Sequence, residues 1–364
     1  ALVVVPALLR SIVVRNMTGS ATRLTAGVQG RSLLFGEAIC VVTRVKVFKT
    51  YAEQVELLRS RGMRIDNVER AEEKLARLNY YRLSGYWYPM RRFSPDTGQA
   101  YDEFVDGASF DLVIDLYEFD ERMRHVVFAE LDRIEMAIRT MLGYRLGSVD
   151  PFIYQDVTRL SAYARQSNKG SRRSRHAVWV EKFERAVNSS KEDFVEHHRR
   201  HYHGDMPIWA AVEIMDWGML SYLYDFSPTN VRNDIADECG LAAPQLASWL
   251  KCLNIVRNYA AHHARMFNRV FDIKPKFSND MRLQEVAGVR NRSFGQLSLI
   301  QYLHRQLDLS PASRLPQLLD TFPHNDIVPF SRTGAPEGWE RLALWERQSA
   351  VQRPAQTCTY DTNH

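Results

Sequence analysis

The chain has 364 residues, 45% of them hydrophobic and 25% charged, which is the composition of an ordinary globular protein. Its formal net charge of +5 and its pI near 9.0 are compatible with a nucleic-acid partner but too mild to establish one. The four cysteines are far apart and form no C-x-x-C pair, which argues against a zinc ribbon and a disulfide-linked secreted domain. The same cysteine usage predicts a reducing, cytoplasmic setting. No apolar run approaches the ~20 residues of a membrane-spanning helix, so we predict no membrane partner.

Residues 1–45 differ in composition from the rest of the chain. They contain five arginines and a single acidic residue, Glu37, and they are rich in Val, Ser, Thr and Gly. Such a leader can be a targeting peptide, but its apolar patches are short and interrupted. We interpret residues 1–45 as a poorly defined extension.

From residue 50 onward, apolar side chains recur at spacings of three and four, the period of an α-helix. Thr50 followed by Glu53 predicts a capping box at the start of the first helix. Helices are predicted over residues 51–61, 67–78, 111–146, 178–201, 207–215, 233–238, 243–271, 296–307 and 313–320. We find no convincing run of alternating strands and no internal repeat. The predicted fold class is all-α, with an N-terminal helical and aromatic segment over 46–110, a helical domain over 111–308, and a helix with an irregular tail over 309–364.

Residues 79–89 form an unusually aromatic segment, Asn-Tyr-Tyr-Arg-Leu-Ser-Gly-Tyr-Trp-Tyr-Pro. Exposed aromatic and basic side chains can stack on bases. More often, such a cluster belongs to a core in which its hydroxyl groups find buried partners. We favour the core.

Four histidines lie within the seven residues 197–203. His197 and His201 are four residues apart, a spacing that can bind a metal on a helix. No cysteine lies nearby, and the adjacent glutamate of a metalloprotease helix is missing. We interpret this cluster as a basic, partly exposed helix end, and we predict neither a metal nor a cofactor.

Residues 161–180 carry five cationic side chains and no acidic residue. Their polar central part predicts a flexible basic loop, which is either an arm that grips phosphate groups or a solvated loop. The candidate RNA-binding residues are Arg165, Lys169, Arg172, Arg173 and Arg175.

The most informative motif is Arg257-Asn258-x3-His262, inside the helix predicted over 243–271. Imidazole takes up and releases protons near neutral pH, and a guanidinium can hold a phosphate and offset the charge that develops on it. With a ribose 2′-hydroxyl as the attacking group, these side chains could cut RNA without a metal. Arg-x4-His also occurs by chance in many proteins. On a continuous helix, four polar side chains would share one stripe: Asn258, His262, Arg265 and Arg269.

Several blocks in order resemble the bacterial abortive-infection family called Abi-like, which includes AbiD and AbiF proteins. They are residues 49–62, the aromatic segment 79–87, Leu-Tyr-x-Phe-Asp at 116–120, Ile-Glu-x3-Arg-Thr at 134–140, Pro-Ile-Trp at 207–209, Arg-Asn-x3-His-His-x-Arg-x2-Asn-Arg at 257–269 and Pro-Phe-Ser-x2-Gly-x-Pro-x2-Trp at 329–339. The resemblance covers approximately residues 46–345. The aromatic block and the Arg-Asn-x3-His-His block are its most specific parts.

That family is similar to the HEPN superfamily, whose active members are α-helical, metal-independent endoribonucleases, and it resembles the presumed relatives of RNA-cleaving type VI CRISPR effectors. The resemblance implies a HEPN-like helical bundle in which Arg257 and His262 fill the Arg-x4-His positions. HEPN nucleases usually bring two such motifs into one cleft, so the single copy here implies a homodimer. It also implies that His262 transfers a proton, Arg257 stabilises the pentacoordinate phosphate and Asn258 orients the phosphate or His262. The expected product is a 2′,3′-cyclic phosphate.

Other residues are predicted to support the candidate site. His263 is one of them, because HEPN spacing tolerates Arg-x5-His, and Arg265 and Arg269 belong to the predicted stripe. Glu135 and Arg139 lie on one helix face and could line the same cleft, although a salt bridge between positions i and i+4 explains them as well.

Three functions from different classes are considered. The leading hypothesis is a phage-defence ribonuclease that is toxic when triggered and acts on RNA. The alternative is a non-catalytic RNA-binding protein that holds a structured small noncoding RNA. The third is a helical interaction protein whose Arg-x4-His motif is a surface coincidence.

Overall fold

The computed structural model describes residues 14–15, 21–22, 46–168, 170–277 and 279–346. The chain divides into two compact units, residues 1–48 and residues 49–364. In the first unit, β1 (Val14–Arg15) pairs antiparallel with β2 (Ala21–Thr22). The rest of the extension predicted over residues 1–45 lies outside the described residues.

The second unit is mainly helical, which confirms the predicted all-α fold class. Its helices in the described part of the chain are α1 (Tyr51–Ser60), α2 (Val68–Leu78), α3 (Tyr80–Trp87), α4 (Phe110–Val149), α5 (Ala162–Arg165), α6 (Arg175–Ser189), α7 (Asp193–His201), α8 (Ile208–Ala211), α9 (Trp217–Phe226), α10 (Thr229–Glu238), α11 (Ala243–Ala261), α12 (Met281–Gln284), α13 (Ser293–Gln306) and α14 (Leu315–Leu319).

Helix α1 begins at the capping box that the sequence predicts. The backbone N–H of Glu53 donates to the Thr50 hydroxyl (3.3 Å), and the Thr50 N–H donates to the Glu53 carboxylate (2.7 Å). Each side chain therefore satisfies a backbone group that the first turn would otherwise leave without a partner.

Helix α4 is the central element of the second unit. Its 40 residues give it a length of about 60 Å. Its buried stripe packs against α3, α8, α9, α10, α11, α13 and α14. The apolar side chains from Leu112 to Leu146 form most of this stripe. Because so many helices share α4, positions far apart in sequence are fixed relative to one another by this one helix.

A hairpin that the sequence analysis did not predict follows α3. Strand β3 (Arg91–Phe93) pairs antiparallel with β4 (Ala100–Phe104), and Gly98 takes a positive φ of 65° in the connecting turn. Strand β3 has only three residues, and the five residues of β4 are mostly exposed, so neither shows the alternation by which a strand is recognised in a sequence.

Two predicted helices are interrupted. The helix predicted over 178–201 is wrong as a single element, because α6 ends at Ser189 and α7 begins at Asp193. Ser190 has an extended backbone (ψ 140°), and its hydroxyl accepts from the Glu192 N–H. Serine competes in this way with helical hydrogen bonding. The helix predicted over 207–215 ends at Ala211 and continues as a 3-10 turn, Val212–Ile214.

The aromatic segment is divided between core and surface. Tyr86 and Trp87 are buried, as the core interpretation predicts, and the Tyr86 hydroxyl donates to the Asp120 carboxylate at 2.6 Å. Tyr81 and Tyr88 are exposed. Helix α3 therefore contributes Tyr86 and Trp87 to the core and leaves Tyr81 at the surface, and the exposed Tyr88 follows directly after the helix.

Within the part of the chain that the structure describes, no helix combines the length and the apolar character needed to cross a membrane.

Candidate active site

The motif lies at the C-terminal end of α11, and the helix stops there. The prediction of a continuous helix to residue 271 is wrong, because α11 ends at Ala261. The N–H of Ala264 donates to the carbonyl of Tyr259 (2.9 Å) and that of His263 to Ala260 (3.4 Å). His263 takes a positive φ of 55°. This is the Schellman closure of a helix, with histidine in the place that glycine usually occupies.

Because the helix ends, the predicted stripe does not form. Arg265 and Arg269 lie beyond the left-handed residue; Arg265 contacts α3, and Arg269 folds back onto α11. Arg265 donates to the carbonyl of Gly85 on α3 (3.0 Å), and the Arg269 guanidinium lies 4.3 Å from the centre of the Tyr259 ring. Both arginines stabilise the segment after the motif, and neither continues the face that carries Asn258.

Arg257 is half-buried on the last turns of α11 and has an aromatic neighbour rather than an acidic partner. Its guanidinium carbon lies 5.4 Å from the centre of the Phe128 ring on α4. Its Nε is buried without a hydrogen-bond partner, and its guanidinium makes no ion pair among the described residues. A guanidinium held by a ring face keeps its donors available for a ligand such as phosphate.

Asn258 and His262 share one face of the helix end. They are four positions apart, so their side chains are neighbours on the helix surface. Asn258 is half-buried and His262 is exposed, and the His262 N–H donates to the Asn258 carbonyl at 2.9 Å. Neither side chain has a hydrogen-bond partner in the described residues, so both can act on a ligand.

Arg257 and His262 face in different directions. With 3.6 residues per turn, five positions rotate a side chain by about 140° beyond one full turn. A phosphate seated on Arg257 is therefore on another side of the helix end from the His262 imidazole of the same chain.

Glu135 and Arg139 form the salt bridge that their spacing predicts. The Arg139 guanidinium lies 2.7 Å from the Glu135 carboxylate, and both side chains are largely buried. Arg139 also donates to the carbonyls of Val212 and Met215, which fixes the turn after α8. Burial raises the pKa of Glu135, and the guanidinium groups of Arg139 and then Arg257 oppose that rise. The pair thus lies near Arg257 while serving a structural contact.

A buried carboxylate that the sequence analysis did not single out holds the segment after the motif. Asp120 accepts hydrogen bonds from the backbone N–H groups of Met266 (3.1 Å) and Phe267 (2.6 Å), and it pairs with Arg124 at 2.6 Å. Its position provides a signal, since Asp120 is four residues after buried Leu116 and falls on the apolar face of α4. A charged side chain on such a face is seldom buried unless it is paired.

The residues around this site fall within a region that matches a known family. The model of the Abi-like protein family matches residues 73–268, just over half of the chain. The chain belongs to the Abi-like protein family. Membership connects this chain with abortive infection, a form of phage defence. The search of curated proteins and the search of solved structures found no match.

The matched region of this Abi-like protein contains the whole Arg257-to-His262 motif, together with Asp120 and Phe128. The match begins at residue 73 and ends at Asn268, so the resemblances of residues 49–62 and 329–339 to the family lie outside it. His263, the supporting candidate, is exposed, and its carbonyl accepts from Arg82 of α3 at 2.7 Å. Contacts from α3 thus secure both sides of the chain reversal after α11.

The basic loop of this Abi-like protein uses several of its arginines internally. Arg165 donates to the carbonyls of Val157 and Leu160, and Arg173 pairs with Glu181 at 2.7 Å. Arg175 donates to the side chains of Gln166 and Asn168 and packs on Tyr163. Arg172 is exposed, with no hydrogen bond or ion pair among the described residues, and Lys169 lies outside them. Arg172 is thus the candidate of this loop best placed to meet a phosphate.

The histidine cluster of the Abi-like protein lies at the end of α7. The rings of His197 and His201 are 4.7 Å apart, and both side chains are exposed, as predicted for a helix end. Among the described residues, no group of three or more His, Cys, Asp or Glu side chains is arranged to hold a metal ion.

Proposed function

We propose that this Abi-like protein is a metal-independent endoribonuclease of the HEPN type that acts on RNA in phage defence. The observation that supports this proposal best is the environment of the Arg257 guanidinium. Its guanidinium is half-buried, rests on Phe128 and lacks an acidic partner in the described part of the chain. A half-buried guanidinium without an acidic partner keeps its exposed donors available, and a bound phosphate would accept hydrogen bonds from them.

The chemistry follows from the side chains at the end of α11. The ribose 2′-hydroxyl attacks the adjacent phosphorus while His262 accepts or donates the proton. Arg257 offsets the negative charge on the pentacoordinate phosphate, and Asn258 orients the phosphate or the imidazole. The bond to the 5′-oxygen breaks, and the products are a 2′,3′-cyclic phosphate and a 5′-hydroxyl end.

The site is proposed to be shared between two copies of the chain. Arg257 and His262 of one chain face directions about 140° apart, so they do not converge on one phosphate without further residues. A two-fold arrangement of two motif ends brings Arg257 of one copy opposite His262 of the other. The homodimer is thus part of the proposed mechanism.

The proposal is tested by incubating purified protein with total cellular RNA in EDTA. We expect cleavage by the wild type and by His324→Ala, which removes an exposed histidine outside the motif. His262→Ala and Arg257→Ala should leave the RNA intact, because each removes one half of the proton-transfer and charge-stabilising pair. End-group analysis of the wild-type products should show cyclic phosphate.

Continued cutting by both motif variants would overturn the nuclease assignment. Intact RNA in every reaction, combined with tight and salt-dependent binding of RNA by the wild type, would favour the non-catalytic RNA-binding alternative. Arg172→Ser should weaken that binding, since the exposed Arg172 would contact phosphate in either case.

A further inference from the structure

A cleft lies between the end of α7 and the start of α8. It has a volume of about 700 Å³, which is the size of many small-molecule sites. Its aromatic residue Trp209 packs on Gly147 of α4, whereas Arg257 rests on Phe128 of the same helix. Nineteen residues of α4 separate these two contacts, or roughly 28 Å along the helix. The cleft is therefore distinct from the motif.

Three exposed aromatic rings line this cleft: Phe152, Tyr202 and Trp209. The Trp209 side chain is 53% exposed although its ring edge is pressed against α4. A Cβ atom on Gly147 would lie 2.8 Å from Cε3 of this indole. Because Gly147 has no side chain, the indole of Trp209 packs directly against α4 at this position. The contact holds the indole in place, and much of its surface remains exposed.

The walls of the cleft are tied together by backbone contacts. The Ile208 N–H donates to the Pro151 carbonyl (2.8 Å), and the Tyr154 hydroxyl donates to the Met206 carbonyl (2.8 Å). The turn after α7 is closed by the Gly204 N–H, which donates to the His198 carbonyl at 3.0 Å. The cleft is preformed and does not need to be assembled by its ligand.

Hydrogen-bond donors and a hydrogen-bond acceptor surround the aromatic rings. His197, His201 and His203 line the cleft, and their imidazoles have no hydrogen bond in the described part of the chain. The exposed carboxylate of Asp205 is the acidic group among the lining residues. Imidazole N–H groups can donate to an anion, and a carboxylate can accept from a hydroxyl or an amino group.

We propose that this cleft binds one ribonucleotide. A base stacks on the indole of Trp209, the phosphate accepts from the imidazoles, and Asp205 accepts from a sugar hydroxyl or an exocyclic amine. An aromatic ligand with an anion attached matches the stacking surface and the donors together. The nucleotide is either free in solution or the terminal residue of an RNA. The proposal does not rest on nuclease activity.

The test is calorimetric titration of the full chain in EDTA, in the His262→Ala background so that any RNA stays intact. The probes are AMP, GMP, CMP and UMP, and a tetraribonucleotide with and without a 5′-phosphate. We expect at least one probe to bind, and Trp209→Ala to weaken that binding roughly five- to a hundredfold through loss of stacking. His201→Gln should weaken the binding of the phosphorylated probes. The control variants Tyr101→Ala and His324→Gln should bind every probe as the parent protein does.

A second variant tests whether the position of the Trp209 indole matters when the indole itself is still present. Gly147→Ala keeps every aromatic side chain but forces the indole of Trp209 away from α4, so it should also weaken binding. Circular dichroism checks that each variant is folded.

The mononucleotide and tetranucleotide titrations distinguish a free nucleotide from the terminal residue of an RNA. Binding of a mononucleotide at least as tight as that of the tetranucleotide indicates a free ligand. Binding confined to the tetranucleotide and lost with Trp209→Ala indicates an RNA end. Absence of binding by every probe, or binding that folded Trp209→Ala retains in full, overturns the proposal while leaving the motif at Arg257 untouched.

Discussion

Among single residues, the support of Arg257 by an aromatic ring is the contact on which the proposed function depends most. An acidic partner would bind the guanidinium donors and would have to be displaced by a phosphate. The Phe128 ring stabilises the cation through its face and competes for none of the donors. Glu135, the nearby carboxylate, is already engaged by Arg139 at 2.7 Å.

This arrangement predicts the effect of Phe128→Ala. RNA cleavage should fall roughly two- to thirtyfold, the range expected when a cation–π contact of about 0.5–2 kcal/mol is lost. Stability should change little, because the Phe128 side chain is 40% exposed. Met136→Ala, which removes another exposed apolar side chain of α4, is the matched control. Equal activity of the wild type and Phe128→Ala would contradict this role.

At the scale of elements, the end of α11 is fixed by α3 and α4 rather than by the helix itself. Asp120 of α4 accepts from the backbone of residues 266 and 267, and α3 contacts the chain reversal through Arg82 and Gly85. The carboxylate is completely buried and is shared with Tyr86 and Arg124. Its loss would leave several buried donors without an acceptor.

We therefore expect Asp120→Ala to lower the free energy of unfolding by about 3–5 kcal/mol, the cost of leaving one member of a buried ion pair alone. Urea denaturation followed by circular dichroism measures this change. Asp115→Asn alters an exposed carboxylate on the same helix and should have little effect. A loss below about 1 kcal/mol for Asp120→Ala would show that the network does not hold the segment.

Across the second unit as a whole, α4 also anchors the C-terminal part. Glu130, fully buried on α4, lies 2.7 Å from Nε2 of His304 on α13 and 3.1 Å from Nε of Arg314, just before α14. Burial alone would raise the pKa of Glu130, but the close contact with His304 and the hydrogen bonds from Arg314 lower it below its usual value.

The lowered pKa gives this contact a defined pH dependence. Glu130 stabilises the fold above its unfolded pKa of about 4.3, and the stabilisation is lost as the pH falls through the lower folded value. Glu130→Gln should cost about 1.5–3 kcal/mol at pH 7, and its difference from wild type should vanish in acid. Urea titrations at several pH values measure this, with exposed Glu56→Gln as the control. A cost that does not depend on pH would contradict the argument.

The proposed dimer predicts complementation between two inactive variants. If each site takes Arg257 from one copy and His262 from the other, a mixed dimer of Arg257→Ala and His262→Ala has one intact site. Random exchange of subunits should then restore about a quarter of wild-type cleavage. The measurement is cleavage before and after co-refolding the two variants. No recovery, with mixed dimers shown to form, would place both groups of the site in the same copy.

Much of the architecture could be predicted because it depends on local patterns. The capping box at Thr50 and the apolar period of α4 follow from the spacing of side chains along one helix. The Glu135–Arg139 salt bridge follows from a spacing of four residues. The end of α11 could not be predicted in this way, because no Gly or Pro marks it. A histidine at position 263 takes the left-handed conformation there, where contacts from α3 and α4 secure the following segment.

The all-α class, most of the helices and the residues of the Arg-Asn-x3-His motif can be read from the amino-acid sequence, since each of these is encoded within a few turns of chain. The surroundings of the motif, in contrast, depend on how the helices pack. Phe128 lies 129 positions before Arg257, and Asp120 lies 147 positions before Phe267, so no local spacing connects them. The packing of other helices around α4 brings these residues together, because burying the apolar faces fixes which side chains meet.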